Sequence, residues 1–259
     1  MFEQAVQSLD RIFKEKQICE SHGIQHAINV MTHAENACKH VSGLSQMQIT
    51  AVKFAGLLHD ADDKKFFPFN HHYENLRQVL SECFPLSAEL IGHDSIVLTS
   101  VPDSLSNLVI QMVELVSASK NGDRIPLGIP DWMLIPRYAD RLEAIGKIGI
   151  ERCWKYTRTS KRPLFLPTTI QCRNEQEIWE LAATPEQYAL YTGGSESMID
   201  HYYQKLLHIA KRDMGNPYLD NIRKFRQASM IKFVLAFGSG HITSDADILT
   251  FLHTQINEV

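Results

Sequence analysis

The sequence predicts an all-α protein, and three observations carry that expectation. Apolar residues recur at helical spacing through most of the 259 residues. Strand-like alternation is almost absent. Turn signals such as Pro85, Asn121-Gly122 and Gly193-Gly194-Ser195 cut the chain into pieces of helix length. The exception is a basic, proline-containing stretch that opens an irregular insertion over about 158–196.

In order, a first helix is expected over residues 2–19, with Ala5, Val6, Leu9, Ile12 and Phe13 as its stripe. A second covers 24–41, with Ile24, Ile28 and Met31 on one side and His26 near the edge of that stripe. The third, 46–60, is apolar nearly all round towards its end, which predicts deep burial. Residues 61–72 mix charge, aromatics and Pro68, as a loop lying against a site would. Helices follow over 73–83, 86–97 and 105–119. Residues 138–150 read as one helix whose Gly146 and Gly149 allow close packing at about 1 kcal/mol each against Ala. Residues 157–174 have strand or loop character, and 175–191 are helical with a break at Thr184-Pro185. Helices over 197–213, 217–237 and 244–256 complete the chain.

Composition narrows the function. At 44% hydrophobic and 22% charged the chain is an ordinary globular one, long enough for a core without disulfide staples. A formal charge of −4 argues against a stable nucleic-acid partner, which calls for a basic surplus. Five scattered cysteines without a C-x-x-C spacing read as free thiols of a reducing compartment. Neither a signal peptide nor a membrane span is expected, so the expected location is the cytoplasm, with no membrane partner. A homodimer through the C-terminal helices is compatible with the sequence, although nothing in it specifies one.

The chemistry starts at Phe54-Ala55-Gly56-Leu57-Leu58-His59-Asp60, an apolar run that ends in two adjacent polar groups. At a helix end both side chains can reach one point, and imidazole plus carboxylate is half a ligand set for a divalent metal. His26 and Asp140 are similar polar positions at the edges or ends of apolar helices. His22, four residues before His26, competes with it by spacing. Two imidazoles and two carboxylates suit one divalent ion (Mn, Mg, Co, Ni or Fe) better than zinc, whose structural sites favour closed Cys/His sets. Such an ion polarises a phosphoryl oxygen and acidifies water, so hydrolysis of a phosphate compound follows.

Spacing does not join these residues, but a resemblance does. The pattern His26…His59-Asp60…Asp140 resembles the H…HD…D signature of the HD-domain metal-dependent phosphohydrolase superfamily. Asp140-Arg141-Leu142-Glu143-Ala144-Ile145-Gly146-Lys147-Ile148-Gly149-Ile150 resembles a long segment of its YedJ/YpgQ-like branch. So do His59 to Phe66, Val116 to Asn121, and Tyr202-Tyr203-Gln204-Lys205-Leu206-Leu207. The resemblance implies a single HD-type helical domain over 1–259, with the C-terminal helices 197–256 packed on it. It implies metal ligation by His26, His59, Asp60 and Asp140, and a hydrolase acting on a nucleotide or similar small phosphate compound. Nucleoside triphosphate pyrophosphohydrolysis is the reaction the branch suggests. Alternatives are a cyclic-nucleotide phosphodiesterase and a non-catalytic nucleotide-binding sensor; the sensor would have lost a ligand, and all four candidates are retained.

Around the ligands, Asp63 is expected as general acid or water-orienting group. Lys64 and Lys120 are expected to neutralise substrate phosphate. Arg141 either binds phosphate or pairs with Glu143 or Glu114. A second metal would draw on His71, His72 and His93-Asp94. The basic run Arg158-Thr159-Ser160-Lys161-Arg162 either meets substrate or is a solvated loop.

Overall fold

A computed structural model of the chain describes residues 1–84, 87–90, 96–99, 103–116 and 125–254. The predicted all-α class is what the structure shows, with one short two-stranded ribbon added. The chain divides into two compact units, Met1–Asp140 and Arg141–Val259.

The first unit is built round α3 (Gln46–Leu58). Its start is set by a capping box, in which Ser45 Oγ accepts from the Gln48 N–H and Gln48 Oε1 from the Ser45 N–H. Ala51, Val52 and every residue from Phe54 to Leu58 are buried, as expected of a helix apolar on all sides. Helix α2 (Ile24–Cys38) lies close against it. A Cβ on Gly56 would stand 3.1 Å from Met31 Cα, so glycine allows that approach. Helix α1 (Phe2–Glu15) packs on α4 (Glu74–Cys83), where Arg11 pairs with Glu82 at 2.9 Å. Helix α5 (Asp103–Val116) also packs on α3, and its Leu105, Val109 and Met112 are buried. A 3₁₀ turn Asp131–Leu134 leads into α6 (Ile135–Glu143), and the boundary between the units falls after Asp140 within it.

The second unit holds α7 (Gly146–Thr159), the short helices α8 (Glu175–Glu177), α9 (Pro185–Ala189), α10 (Met198–His201) and α11 (Leu207–Lys211), then α12 (Pro217–Gly238) and α13 (Asp245–Thr254). A π-helical turn, Ile178–Ala182, continues α8, and a second, Tyr202–Leu206, joins α10 to α11.

Three expectations need correction. The helix expected over 86–97 gives way to strand at its described residues: Ser87–Leu90 pairs antiparallel with Ile96–Thr99, and the run Ile96-Val97-Leu98-Thr99 has the branched residues strands favour. Residues 138–150 are two helices. Ile145 is extended and Gly146 takes φ +73°, which breaks the chain between α6 and α7. Gly149 then admits the Ala144 backbone, since a Cβ there would stand 2.4 Å from its carbonyl. The first helix stops at Glu15 rather than 19, where Gln17 adopts φ 54°. The interruption at Thr184-Pro185 is present, with Thr184 capping α9.

Candidate metal centre

Three helix ends bring the candidate ligands together. His26 lies in the first turn of α2, His59 is the C-cap of α3 with Asp60 next to it, and Asp140 lies on α6. His26 and His59 are only 4% and 8% exposed. Their Nε2 atoms are 3.2 Å apart. Asp60 Oδ2 is 3.4 Å from His59 Nε2 and 3.9 Å from that of His26. Asp140 Oδ1 is 3.3 Å from His26 Nε2 and 3.6 Å from that of His59. Asp140 is the more open of the two carboxylates, with its side chain 32% exposed against 14% for Asp60.

These separations fit a divalent cation. Donors about 2.1 Å from an ion stand about 3.0 Å apart at right angles and about 3.4 Å at tetrahedral angles. The observed 3.2–3.9 Å needs only a slight contraction. Donor orientation fits too. His59 Nδ1 is 2.8 Å from the Gly56 carbonyl, which can only accept, so Nδ1 donates and the other nitrogen faces the centre. Among the described residues, His26, His59 and Asp60 are the one group of three or more metal-type side chains within reach of one another.

The charges are strongly coupled. Burial lowers the pKa of His59, but the Asp60 charge and hydrogen bond, then Asp140, outweigh it and raise the imidazole to about 9. Burial would raise both carboxyls, yet the imidazoles prevail. The His26 hydrogen bond and the His59 charge hold Asp140 at about 2, and His59 holds Asp60 below the usual carboxylate range. Two carboxylates thus draw a proton onto His59, and a cation would displace it.

The other candidates are placed as follows. His22, His26's competitor, has its ring against Phe66 at 5.2 Å and its Nδ1 3.5 Å from Cys19 Sγ; its charge still helps to lower Asp60. Asp63 and Lys64 are exposed on the loop after Asp60. Asp63 Oδ1 accepts the Lys65 N–H at 2.8 Å; desolvation and the Asp60 charge raise its pKa, while that N–H lowers it. Arg141 is buried. Of the partners expected for it, Glu143 is engaged by Arg226 at 3.2 Å and Glu114 accepts from the Tyr73 hydroxyl at 3.1 Å. Arg226 also donates to the Leu142 carbonyl at 2.6 Å and Arg152 to that of Glu143 at 2.8 Å, which satisfies the C-terminal end of α6. His71 and His72 are exposed. Lys120 and His93-Asp94 lie outside the described residues. In the basic run, Arg158 is tied to Asp245.

Sequence reasoning missed Asp62. Its Oδ1 and Oδ2 accept the N–H groups of Asn75 and Leu76 at 3.0 and 2.9 Å, and Asn70 Nδ2 donates to it at 2.6 Å. It therefore caps α4 from thirteen residues away and pins the loop that follows the His59-Asp60 pair. Only proximity to the ligands pointed to it, because a cap at that range has no local pattern.

The fold is similar to that of several solved structures. The chain matches a solved Lactobacillus plantarum protein at 21% identity and TM-score 0.61, over 92% of this chain and 95% of that one. An HD-superfamily hydrolase of Bacillus thuringiensis matches at 19% and 0.56, over 92% and 95%. Bacillus subtilis YpgQ, solved in complex with ADP, matches at 19% and 0.55, over 91% and 97%. No family model matches the chain. In sequence it is 36% identical over 233 residues to the uncharacterized protein L803 of Acanthamoeba polyphaga mimivirus, covering 88% of this chain and 92% of that protein. The chain belongs to the family of that viral protein. Among the described residues no helix is long and apolar enough to cross a membrane.

Proposed function

We propose that the chain is a metal-dependent phosphohydrolase acting on a nucleotide or a similar small phosphate compound. The observation that carries the reading is the convergence of two imidazole nitrogens and two carboxylate oxygens at 3.2–3.9 Å on three helix ends. His26, His59, Asp60 and Asp140 would hold a divalent cation there, which would supply polarisation of a phosphoryl oxygen and acidification of water. Asp60 and Asp140 bring two negative charges to the centre, and the Gly56 carbonyl holds the His59 ring in the orientation ligation needs. Asp63, its pKa raised, takes or returns the proton of the reaction at its carboxylate. Lys64, exposed on the same loop, neutralises substrate phosphate in this reading. Nucleotides are favoured by the resemblance of the Asp140 segment to the YpgQ-like branch, and YpgQ itself has been solved with ADP. By the same resemblance, cleavage of a nucleoside triphosphate to monophosphate and pyrophosphate is the preferred reaction.

The test is a panel of nucleoside mono-, di-, tri- and cyclic phosphates, assayed with chelator-stripped protein reloaded with Mn²⁺, Mg²⁺, Co²⁺ or Ni²⁺. Metal-dependent release of pyrophosphate or phosphate, abolished by Asp60→Ala, is expected. Absence of turnover with every metal, while nucleotides still raise the melting temperature, would replace the hydrolase by a nucleotide sensor.

A further inference from the structure

The loop that follows the His59-Asp60 pair carries three phenylalanines, and only one of them is fully buried. Phe67, at 4% exposure, anchors the loop to the core. Phe66 is half-exposed, and Phe69 keeps 86% of its surface in solvent. Water disfavours exposed phenyl rings, and the loop already has its apolar anchor in Phe67. The hydrolase reading assigns nothing to the other two rings.

The loop that presents these rings is held by its own hydrogen bonds. The Asp63 N–H bonds to the Asp60 carbonyl at 3.2 Å, and the N–H groups of Phe66 and Phe67 bond to the Asp63 carbonyl at 2.9 and 2.8 Å. The Asn70 N–H closes a further turn on the Phe67 carbonyl at 3.1 Å, and its side-chain amide is tied to Asp62 at 2.6 Å. Pro68, with its fixed φ, stands between Phe67 and Phe69. The Phe66 ring packs on that of His22, the centres 5.2 Å apart at 62°, and His22 precedes His26 by four residues. Lys65 Nζ stands 5.1 Å from the same ring centre, and the ring still reaches solvent. Two hydrogen-bonded turns therefore join Asp60 to Phe66. Each such turn keeps its terminal Cα atoms within about 7 Å, which places Phe66 within about 14 Å of Asp60. A nucleoside diphosphate covers that interval from its terminal phosphate to its base.

We propose that Phe66 and Phe69 are the residues that stack the base of a nucleotide whose phosphates lie at the metal centre. This rests on the reading of that centre as one that takes a nucleotide. Rings held in place by a bonded loop lose little freedom when a ligand stacks on them. Stacking reads the π-face and not the hydrogen-bonding edge, so the platform accepts any base and favours the larger purines. Phosphate is then handled by the metal centre and base affinity by the two rings.

Calorimetric titration of the full chain in Mn²⁺ with two uncleaved probes tests this. The probes are methylenediphosphonate and the α,β-methylene analogue of ADP, which differ by the adenosine alone. In the wild type the nucleotide analogue should bind about tenfold tighter or more, the worth of one stacked base. Phe66→Leu and Phe69→Ser should each cut that ratio about threefold or more, and the double variant should bring it near one. Phe69→Trp should keep it. Affinity for Mn²⁺ and for methylenediphosphonate should stay at the wild-type value throughout, which a merely structural role of the rings would not allow. Phe69 is 86% exposed, so Phe69→Ser keeps the test decisive should Phe66→Leu misfold. Turnover of nucleoside triphosphates is read separately: the ratio without turnover removes the hydrolase reading and supports the stacking site. Equal affinity for both probes in the wild type, binding of neither, a ratio unchanged in Phe69→Ser and the double variant, or an equal loss of both probes in Phe69→Ser overturns the proposal.

Discussion

Replacing Gly56 by alanine should damage the metal centre without touching a ligand. The new Cβ would meet Met31 Cα at 3.1 Å and both Met31 N and Ala34 Cβ at 3.3 Å. Carbon atoms prefer about 3.5–4.0 Å, so α2 and α3 must part by a few tenths of an ångström. Two of the three contacts are backbone atoms, which no rotamer change can relieve. Overpacking of this kind costs about 1–3 kcal/mol, offset by about 1 kcal/mol from alanine's better helix propensity. The net loss, about 0–2 kcal/mol, lowers the melting temperature by no more than a few degrees. The centre should suffer more, because α2 carries His26 and α3 ends at His59, whose Nδ1 bonds the Gly56 carbonyl itself. Disturbing such supporting contacts typically costs tenfold or more in metal affinity. Mn²⁺ titration of the chelator-stripped variant, beside a thermal scan, should show affinity down about tenfold with the fold intact. Wild-type affinity and an unchanged melting temperature would refute the claim that the α2–α3 approach sets the donor geometry.

Further expectations concern pH and the loop after the ligands. His59 is raised from 6.5 to about 9, so in chelator its stabilising contribution is full below 6.5 and is lost as pH rises through 9. Thermal scans from pH 6 to 10 should show that decline, while Mn²⁺ affinity rises over the same interval because binding releases the proton. Asp140, lowered from 3.8 to about 2, contributes stability above 3.8 that is lost as pH falls towards 2, which acid titration of the fold would reveal. Asp62→Ala removes the acceptor of two N–H groups at the start of α4 and should cost about 1–2 kcal/mol by denaturant unfolding. On the proposed role, in which its carboxylate moves a proton and holds no cation, Asp63→Asn should lower kcat with KM and Mn²⁺ affinity near wild type.

The helices that carry the ligands were legible because their burial is written locally. Phe54 to Leu58 close an apolar segment of helix length that starts at Gln46, and His59-Asp60 ends it abruptly. Spacing alone left His26 and His22 open, and the resemblance chose His26; the fold puts His22 in the 3₁₀ turn Glu20–His22, with its ring against Phe66. The turn at Ile145-Gly146 was hidden because Leu142, Ile145, Gly149 and Ile150 keep a helical apolar pattern through it. The two π-helical turns left no trace, because an extra residue in a helical turn changes no composition. Asp62 drew no assignment because its partners, Asn75 and Leu76, are remote in sequence.

The most direct test of the four-donor centre is anomalous diffraction from a crystal of the protein soaked in Mn²⁺. The predicted result is a peak about 2.0–2.3 Å from His26 Nε2, His59 Nε2, Asp60 Oδ2 and Asp140 Oδ1, absent in Asp60→Ala. A peak elsewhere, or none at these four atoms at saturating Mn²⁺, would contradict it.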